Sequence, residues 1–284
     1  MSSYLAAECL PSFELELGER GDEGSSFRTQ NDVSDPLQRS NITERKGVID
    51  IRCTGADVIH GYLQNGKAPA TLLVYEFQFD PRKISRRITT VDMEFRFGSE
   101  FGKEPEVLKV SPKGRMTLVP TTQTETTTVG GDTKAGGNVF GAEFGSSWKW
   151  EKVISRESRD ATTIVGSMDI QGRNYGPSNA VSWTIMENAS EGTGVPAHVR
   201  TAVLLSRGDD EELFYSMFKI KAQVDLVSKF TRLFGSTPRD DPILYDTTLP
   251  PTNNLREYDL NSLGDVDMLE LSTMGFTNDS QVSN

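Results

Sequence analysis

Thr89-Thr90-Val91-Asp92-Met93-Glu94-Phe95-Arg96-Phe97 is the stretch that decides the fold class. Val91, Met93, Phe95 and Phe97 alternate with Asp92, Glu94 and Arg96. A period of two puts the apolar set on one face only if the backbone is extended; a helix would scatter the same residues around its axis. Just upstream, Leu73, Tyr75, Phe77 and Phe79 alternate with Glu76 and Gln78, and Asp80-Pro81 with a basic turn separates the two stretches. That arrangement predicts two strands joined as a hairpin or lying as neighbours.

The same period recurs along the chain. Ile49, Ile51 and Cys53 open the core, and the short runs Val107 to Val110 and Met116 to Val119 flank the turn Ser111-Pro112-Lys113-Gly114. Val181, Trp183 and Ile185 form one further set, and Val199, Thr201, Val203 and Leu205 another. In the longest run, Phe214, Phe218, Ile220, Ala222, Val224 and Leu226 oppose Tyr215, Lys219, Lys221, Gln223 and Asp225. No core stretch of comparable length carries a helical apolar stripe. The expectation is an all-β chain, an antiparallel β-sandwich or open barrel with one wet face per sheet.

Charge divides the chain into three parts. Residues 1–46 hold nine acids and five bases, and residues 237–284 hold nine acids and two bases, so residues 47–236 are neutral within a net charge of −11. The sequence therefore predicts an acidic, mostly disordered segment over 1–46, with Phe13, Leu15 and Leu17 spaced for a short edge strand. A sandwich core follows over 47–236, including a hairpin over 121–172, and then an acidic tail over 237–284. A neutral core between acidic ends argues against a nucleic-acid partner, which needs a basic field for phosphates. The cluster Arg82, Lys83, Arg86 and Arg87 reads as a solvated turn.

No stretch approaches the ~18 apolar residues of a membrane-spanning helix, and Met1 to Leu10 lack the pattern of a secretory signal. Only Cys9 and Cys53 are present, which suits a reducing compartment. The expected location is the cytoplasm. There the glycosylation-type triplets at Asn41, Asn188 and Asn278, and the tripeptide Arg207-Gly208-Asp209, are coincidental.

Signals for chemistry are sparse. His60 and His198 are the only histidines, and neither has a cysteine or second histidine at metal-ligand spacing. His198 follows Pro196 and reads as a loop residue, while Cys53 reads as inward-facing and inert. Gly130-Gly131 and Gly136-Gly137 lack the lysine and following helix of a phosphate loop. The acids Asp209 to Glu212 sit at a turn, solvated unless they hold a weak calcium ion. No catalytic residues, cofactor or metal are read from the sequence.

Two segments carry the candidate sites. Thr121 to Thr128 is threonine-rich, Gly130 to Gly137 is glycine-rich, and on the return Phe140, Ala142, Phe144, Trp148, Trp150 and Ile154 share one face. This is either a surface hairpin whose aromatic face packs on the main sheet, or a membrane-inserting hairpin like those of the aerolysin class of toxins. Phe140, Phe144, Trp148 and Trp150 are the packing or membrane face in those readings. Trp148 and Trp150 also allow a sugar-stacking platform, although paired tryptophans more often pack. In the tail, Leu260, Leu263, Val266 and Leu269 stand three apart after Pro250-Pro251. That spacing predicts a short amphipathic helix that docks on the core or binds a partner's groove.

Asn179 to Asn188, Gly194-Val195-Pro196, His198 to Leu205, Asp209-Asp210-Glu211 and Lys219 to Ala222 together resemble an uncharacterised family of β-rich proteins of filamentous fungi. Ala68 to Leu72 and Gly172 to Gly176 fit that resemblance, which spans about residues 47–230. It implies a fungal source and no activity. The leading functional expectation is a non-enzymatic intracellular module acting by protein binding or self-association. A membrane-active, pore-forming protein is the alternative. An enzyme with carboxylate chemistry invisible in sequence is third.

Overall fold

The computed structural model describes residues 28–46, 49–81, 87–100, 102–121, 147–152, 161–208, 213–225, 231–232 and 240–276. Its strands in chain order are β1 (Asn41–Arg45), β2 (Ile49–Gln64), β3 (Lys67–Pro81), β4 (Arg87–Gly98), β5 (Glu106–Ser111), β6 (Gly114–Thr121) and β7 (Ser147–Lys152). They continue with β8 (Thr163–Asp169), β9 (Ala180–Met186), β10 (His198–Ser206), β11 (Phe214–Asp225), β12 (Thr231–Arg232), β13 (Ile243–Tyr245) and β14 (Met274–Gly275). One 3-10 turn, Leu263–Asp265, is the only helical element among the described residues.

The strands form two open sheets, and every strand pair in them is antiparallel. The six-stranded sheet runs β1-β2-β3-β10-β14 with β5 also on β10. The eight-stranded sheet runs β12-β11-β4-β9-β8-β6-β7 with β13 also on β11. The protein is a β-sandwich rather than a closed barrel, and it follows the two-residue period. On β4, Val91, Met93, Phe95 and Phe97 are at most 1% exposed, and on β3 the same holds for Leu73, Tyr75, Phe77 and Phe79. These two sets meet at the centre, where the rings of Tyr75 and Phe95 stack with centroids 4.0 Å apart. Each such side chain contributes about 1.5–3 kcal/mol by leaving water.

That meeting corrects the expected hairpin. β3 and β4 lie in different sheets, β3 between β2 and β10 and β4 between β11 and β9. A two-residue period fixes which side chains point inward but not which strand lies alongside, and here the two aromatic faces meet across the core. Trp183 on β9 fills the interior beside them with no exposure, and its Nε1 donates to Pro112 O at 3.2 Å. Its register partner Gly166 on β8 has no room for a side chain, since a Cβ there would stand 2.0 Å from Pro112 O.

Two segments read as outside the core are built into it. In the N-terminal part, β1 pairs with β2, and Leu37 bridges Leu244. Asp240 binds the Arg45 guanidinium through both carboxylate oxygens at 2.8 Å and accepts from Thr43 Oγ1 and Thr29 N. Asp241 pairs with Arg28 and accepts from Asn31 N. These two neighbouring acids clasp residues 28–45 to 240–242. Both fall within the expected acidic tail, yet they hold the two ends of the folded unit together.

Candidate functional site

The threonine/glycine-rich segment is rooted at the end of the eight-stranded sheet. β6 pairs with β8 over Gly114 to Thr117 and with β7 from Met116↔Lys152 to Thr121↔Ser147. β7 ends the sheet order, so its outer edge has no strand partner among the described residues. Met116 and Leu118 on β6 are buried in the main core. Trp150 stands opposite Leu118 and Trp148 opposite Pro120. Phe140 and Phe144 lie outside the described residues, as do 209–212 and the basic cluster except Arg87, which pairs with Glu187 at 3.1 Å.

The C-terminal segment forms a strap rather than the expected amphipathic helix. From 250 to 276 it crosses the outer face of the six-stranded sheet and ends in β14 against β10. Leu263 is fully buried there, Leu260 and Val266 are partly buried against the same cluster, and Leu269 is 47% exposed. The sheet explains why no helix forms. Tyr62 N donates to Leu260 O at 2.7 Å and Arg200 N to Thr273 O at 2.8 Å. A helix would close its hydrogen bonds internally and leave those donors without partners. Asp259 and Asp267 also accept from the backbone N–H two residues on, at Asn261 and Leu269, fixing turns in place of helical ones.

The strap's seat is specific. Asp57, 1% exposed, accepts from Thr252 Oγ1 at 3.0 Å, Asn254 N at 2.7 Å, Tyr258 OH at 2.9 Å and Leu255 N at 3.4 Å. Burial, and then the bond to this carboxylate, pushes the Tyr258 phenol up to about 12. Gly61 lets the strap touch the strand backbone, because a Cβ there would stand 2.3 Å from Leu260 O.

His60 and Glu76 also have defined partners. His60 lies inside the end of the sandwich, with Nδ1 2.9 Å from Thr71 Oγ1 and Nε2 2.8 Å from Gln38 Nε2, which also donates to Asp246 O. The Gln38 amide makes Nε2 the acceptor, so Nδ1 carries the proton and the ring is neutral. Burial, and then the nearby Arg207 guanidinium, pushes its pKa down to about 4. Glu76, facing His198 Nε2 at 3.8 Å and held by Arg200 at 2.5 Å, stays near 2 through those two partners. His198 begins β10 rather than lying in a loop. Cys53 is buried and free, and desolvation holds its thiol well above the usual range. Among the described residues, no three His, Cys, Asp or Glu side chains gather where an ion could sit, and no helix is long and apolar enough to cross a membrane.

The geometry thus defines a two-sheet β-sandwich with an edge hairpin and a strapped outer face. No protein-family model matches the chain, and no curated protein matches it. Among solved structures, it is similar to Clostridium perfringens delta-toxin at 10% identity, over 72% of this chain and 94% of the toxin chain, with a TM-score of 0.21. A likeness at that score carries no argument about function.

Proposed function

We propose that this chain is a non-enzymatic β-sandwich module that works in the cytoplasm by self-association, through the outer edge of β7. The observation that carries this reading is the position of β7 at the end of the eight-stranded sheet. An edge strand presents a row of backbone donors and acceptors, and a second copy of the same edge can complete that row. The ionisable groups one would enlist for catalysis support the non-enzymatic part, because they are engaged elsewhere. Asp57 holds the strap, Glu76 holds Arg200, and Asp240 holds Arg45.

The test is sedimentation of the wild type beside Lys149→Pro and Trp150→Pro. Along an edge strand successive N–H groups point alternately toward the neighbouring strand and toward solvent. Proline at the outward position removes one intermolecular donor, while at the inward position it damages the hairpin itself. The wild type is expected to gain mass above 31.4 kDa with concentration, and one of the two variants to lose that gain without a lower Tm. Equal monomeric mass for all three rejects the reading.

A second reading is favoured by the register running unbroken to Thr121↔Ser147. The paired stem leads directly into residues 122–146, which are long enough to extend both arms toward the ~9–11 residues of a membrane-spanning strand. Against it, the outgoing arm is threonine-rich and lacks an apolar set. Dye release from lipid vesicles, before and after limited proteolysis of the ends, separates the two readings; release supports the pore.

A further inference from the structure

Arg96 on β4 points from the outer face of the eight-stranded sheet, between Met217 on β11 and Ala180 on β9. The loop from β8 to β9 lies on its guanidinium: a Cβ on Gly172 would stand 2.8 Å from Nη2, 3.2 Å from Cζ and 3.4 Å from Nη1. Arg87 sits in the same way against Gly192, where a Cβ would stand 2.7 Å from Nη1 and 3.2 Å from Cζ, and there Glu187 closes the pair at 3.1 Å. At Arg96 the matching acid is missing. Its two register neighbours carry no charge, and among the described residues its guanidinium has no hydrogen-bond or ion-pair partner.

The carboxylates around it are committed elsewhere. Asp169, next in the row beyond Ala180, accepts from Ser167 Oγ at 2.8 Å and Ser182 Oγ at 2.6 Å. Glu104 holds Arg173 at 2.7 Å and Asn179 Nδ2 at 3.3 Å, and Glu94 holds Lys219 at 3.2 Å. A half-buried guanidinium covered on one face keeps its N–H edge for the two oxygens of an incoming carboxylate. Met217 beside it, and Ile170 and Tyr175 on the loop that covers it, are exposed. They form a rim for apolar side chains next to such a carboxylate.

The chain itself carries the complementary charge. Residues 14–23 hold five acids, Glu14, Glu16, Glu19, Asp22 and Glu23, against one base, Arg20, with Leu15 and Leu17 among them. They lead into the arm that Arg28 fastens to Asp241. Asp241 stands two residues before β13, which pairs with β11 up to Ser216↔Ile243, and Met217 follows on β11. Two strand spacings therefore put this anchor ~10–15 Å from Arg96, whereas the stretch from Arg28 back to Glu23 reaches ~17 Å. We propose that Arg96 and the β8–β9 loop form a carboxylate-binding site that takes the acidic segment 14–23 of the same chain. This contact is independent of the β7 edge.

The test uses full-length chains at about 1 μM, with burial of Trp183 as the check that each is folded. Arg96→Lys keeps the charge and supplies an amine that a carbodiimide joins to a carboxylate only in direct contact. The expected product is a monomer of 31.4 kDa in which position 96 is linked to an acid of residues 14–23. In a second measurement the native arginine is kept. Phenylglyoxal should modify Arg96 at least threefold more slowly in the wild type than in a chain whose five acids at 14–23 are changed to Asn or Gln. A link to Glu94, Asp169 or Glu104 instead, or no link, overturns the proposal, and so does equal reactivity toward phenylglyoxal. A link found only in a dimer places the acids on a second copy and overturns it as well.

Discussion

Acid should weaken this fold through His60, and the size of the effect follows from its surroundings. The ring is 7% exposed, and its Nε2 accepts from a Gln38 amide already committed to Asp246 O. A proton on Nε2 would face that amide donor and the Arg207 guanidinium, with the Asp246 carboxylate as the opposing influence. In the unfolded chain the ring titrates near 6.5, and in the fold near 4. Above pH 6.5 both states are neutral at His60, and its contribution to stability is fully present. As the pH falls from 6.5 to 4, the unfolded state takes up a proton that the fold refuses, so stability declines and then levels off. At about 1.4 kcal/mol for each tenfold change in proton affinity, the loss comes to about 3 kcal/mol. Urea unfolding followed by tryptophan fluorescence, for the wild type and His60→Gln between pH 7.5 and 4, isolates the effect. Glu76 and other carboxylates titrate in both chains and cancel in the difference. The wild type should lose about 3 kcal/mol more than the variant across that window. Parallel curves would refute both the burial and the hydrogen-bond assignment of this ring.

Four further changes test the packing. Asp240→Ala removes the acceptor shared by the partly buried Arg45 guanidinium, Thr43 Oγ1 and Thr29 N and should cost about 2–4 kcal/mol, read as a Tm lower by about 10 °C; a change under 2 °C contradicts the clasp. Asp57→Ala removes the acceptor for two backbone N–H groups and two hydroxyls of the strap. It should cost about 2–4 kcal/mol, with faster amide exchange confined to residues 250–276. Gly166→Ala places a methyl 2.0 Å from Pro112 O and should destabilise the fold by more than about 2 kcal/mol, whereas Gly114→Ala, with nothing within 4 Å but a φ of 71°, should cost only about 1 kcal/mol. Calorimetry ranks the two.

The strands were legible because a half-buried strand writes its two faces into alternate residues, as Val91 to Phe97 and Val181 to Ile185 do. Sheet membership was not, since the same alternation serves a strand beside its neighbour and one across from it; Tyr75 on Phe95 shows which occurred. The strap's seat leaves a trace in the sequence. Leu72-Leu73-Val74-Tyr75 and Ala202-Val203-Leu204-Leu205 are continuous apolar runs, the mark of strands covered on both faces. A cover for the second face had to come from somewhere, and the leucines at 260 and 263 supply it. Their spacing of three suggested a helix because apolar spacing alone does not record where the backbone hydrogen bonds go. Nothing local in the sequence marks Asp57, Asp240 and Asp241 as structural, for their partners lie about 200 residues away in the chain.

Amide hydrogen exchange over Ser147–Lys152, measured at about 1 and 100 μM, asks directly whether the outer edge of β7 is where two copies meet. The outward-pointing amides should exchange freely in the dilute chain and gain protection in the concentrated one, with β2 and β3 unchanged at both. If exchange in this strand is the same at the two concentrations while the mass rises, association runs through another surface. If neither changes, the chain does not act by self-association.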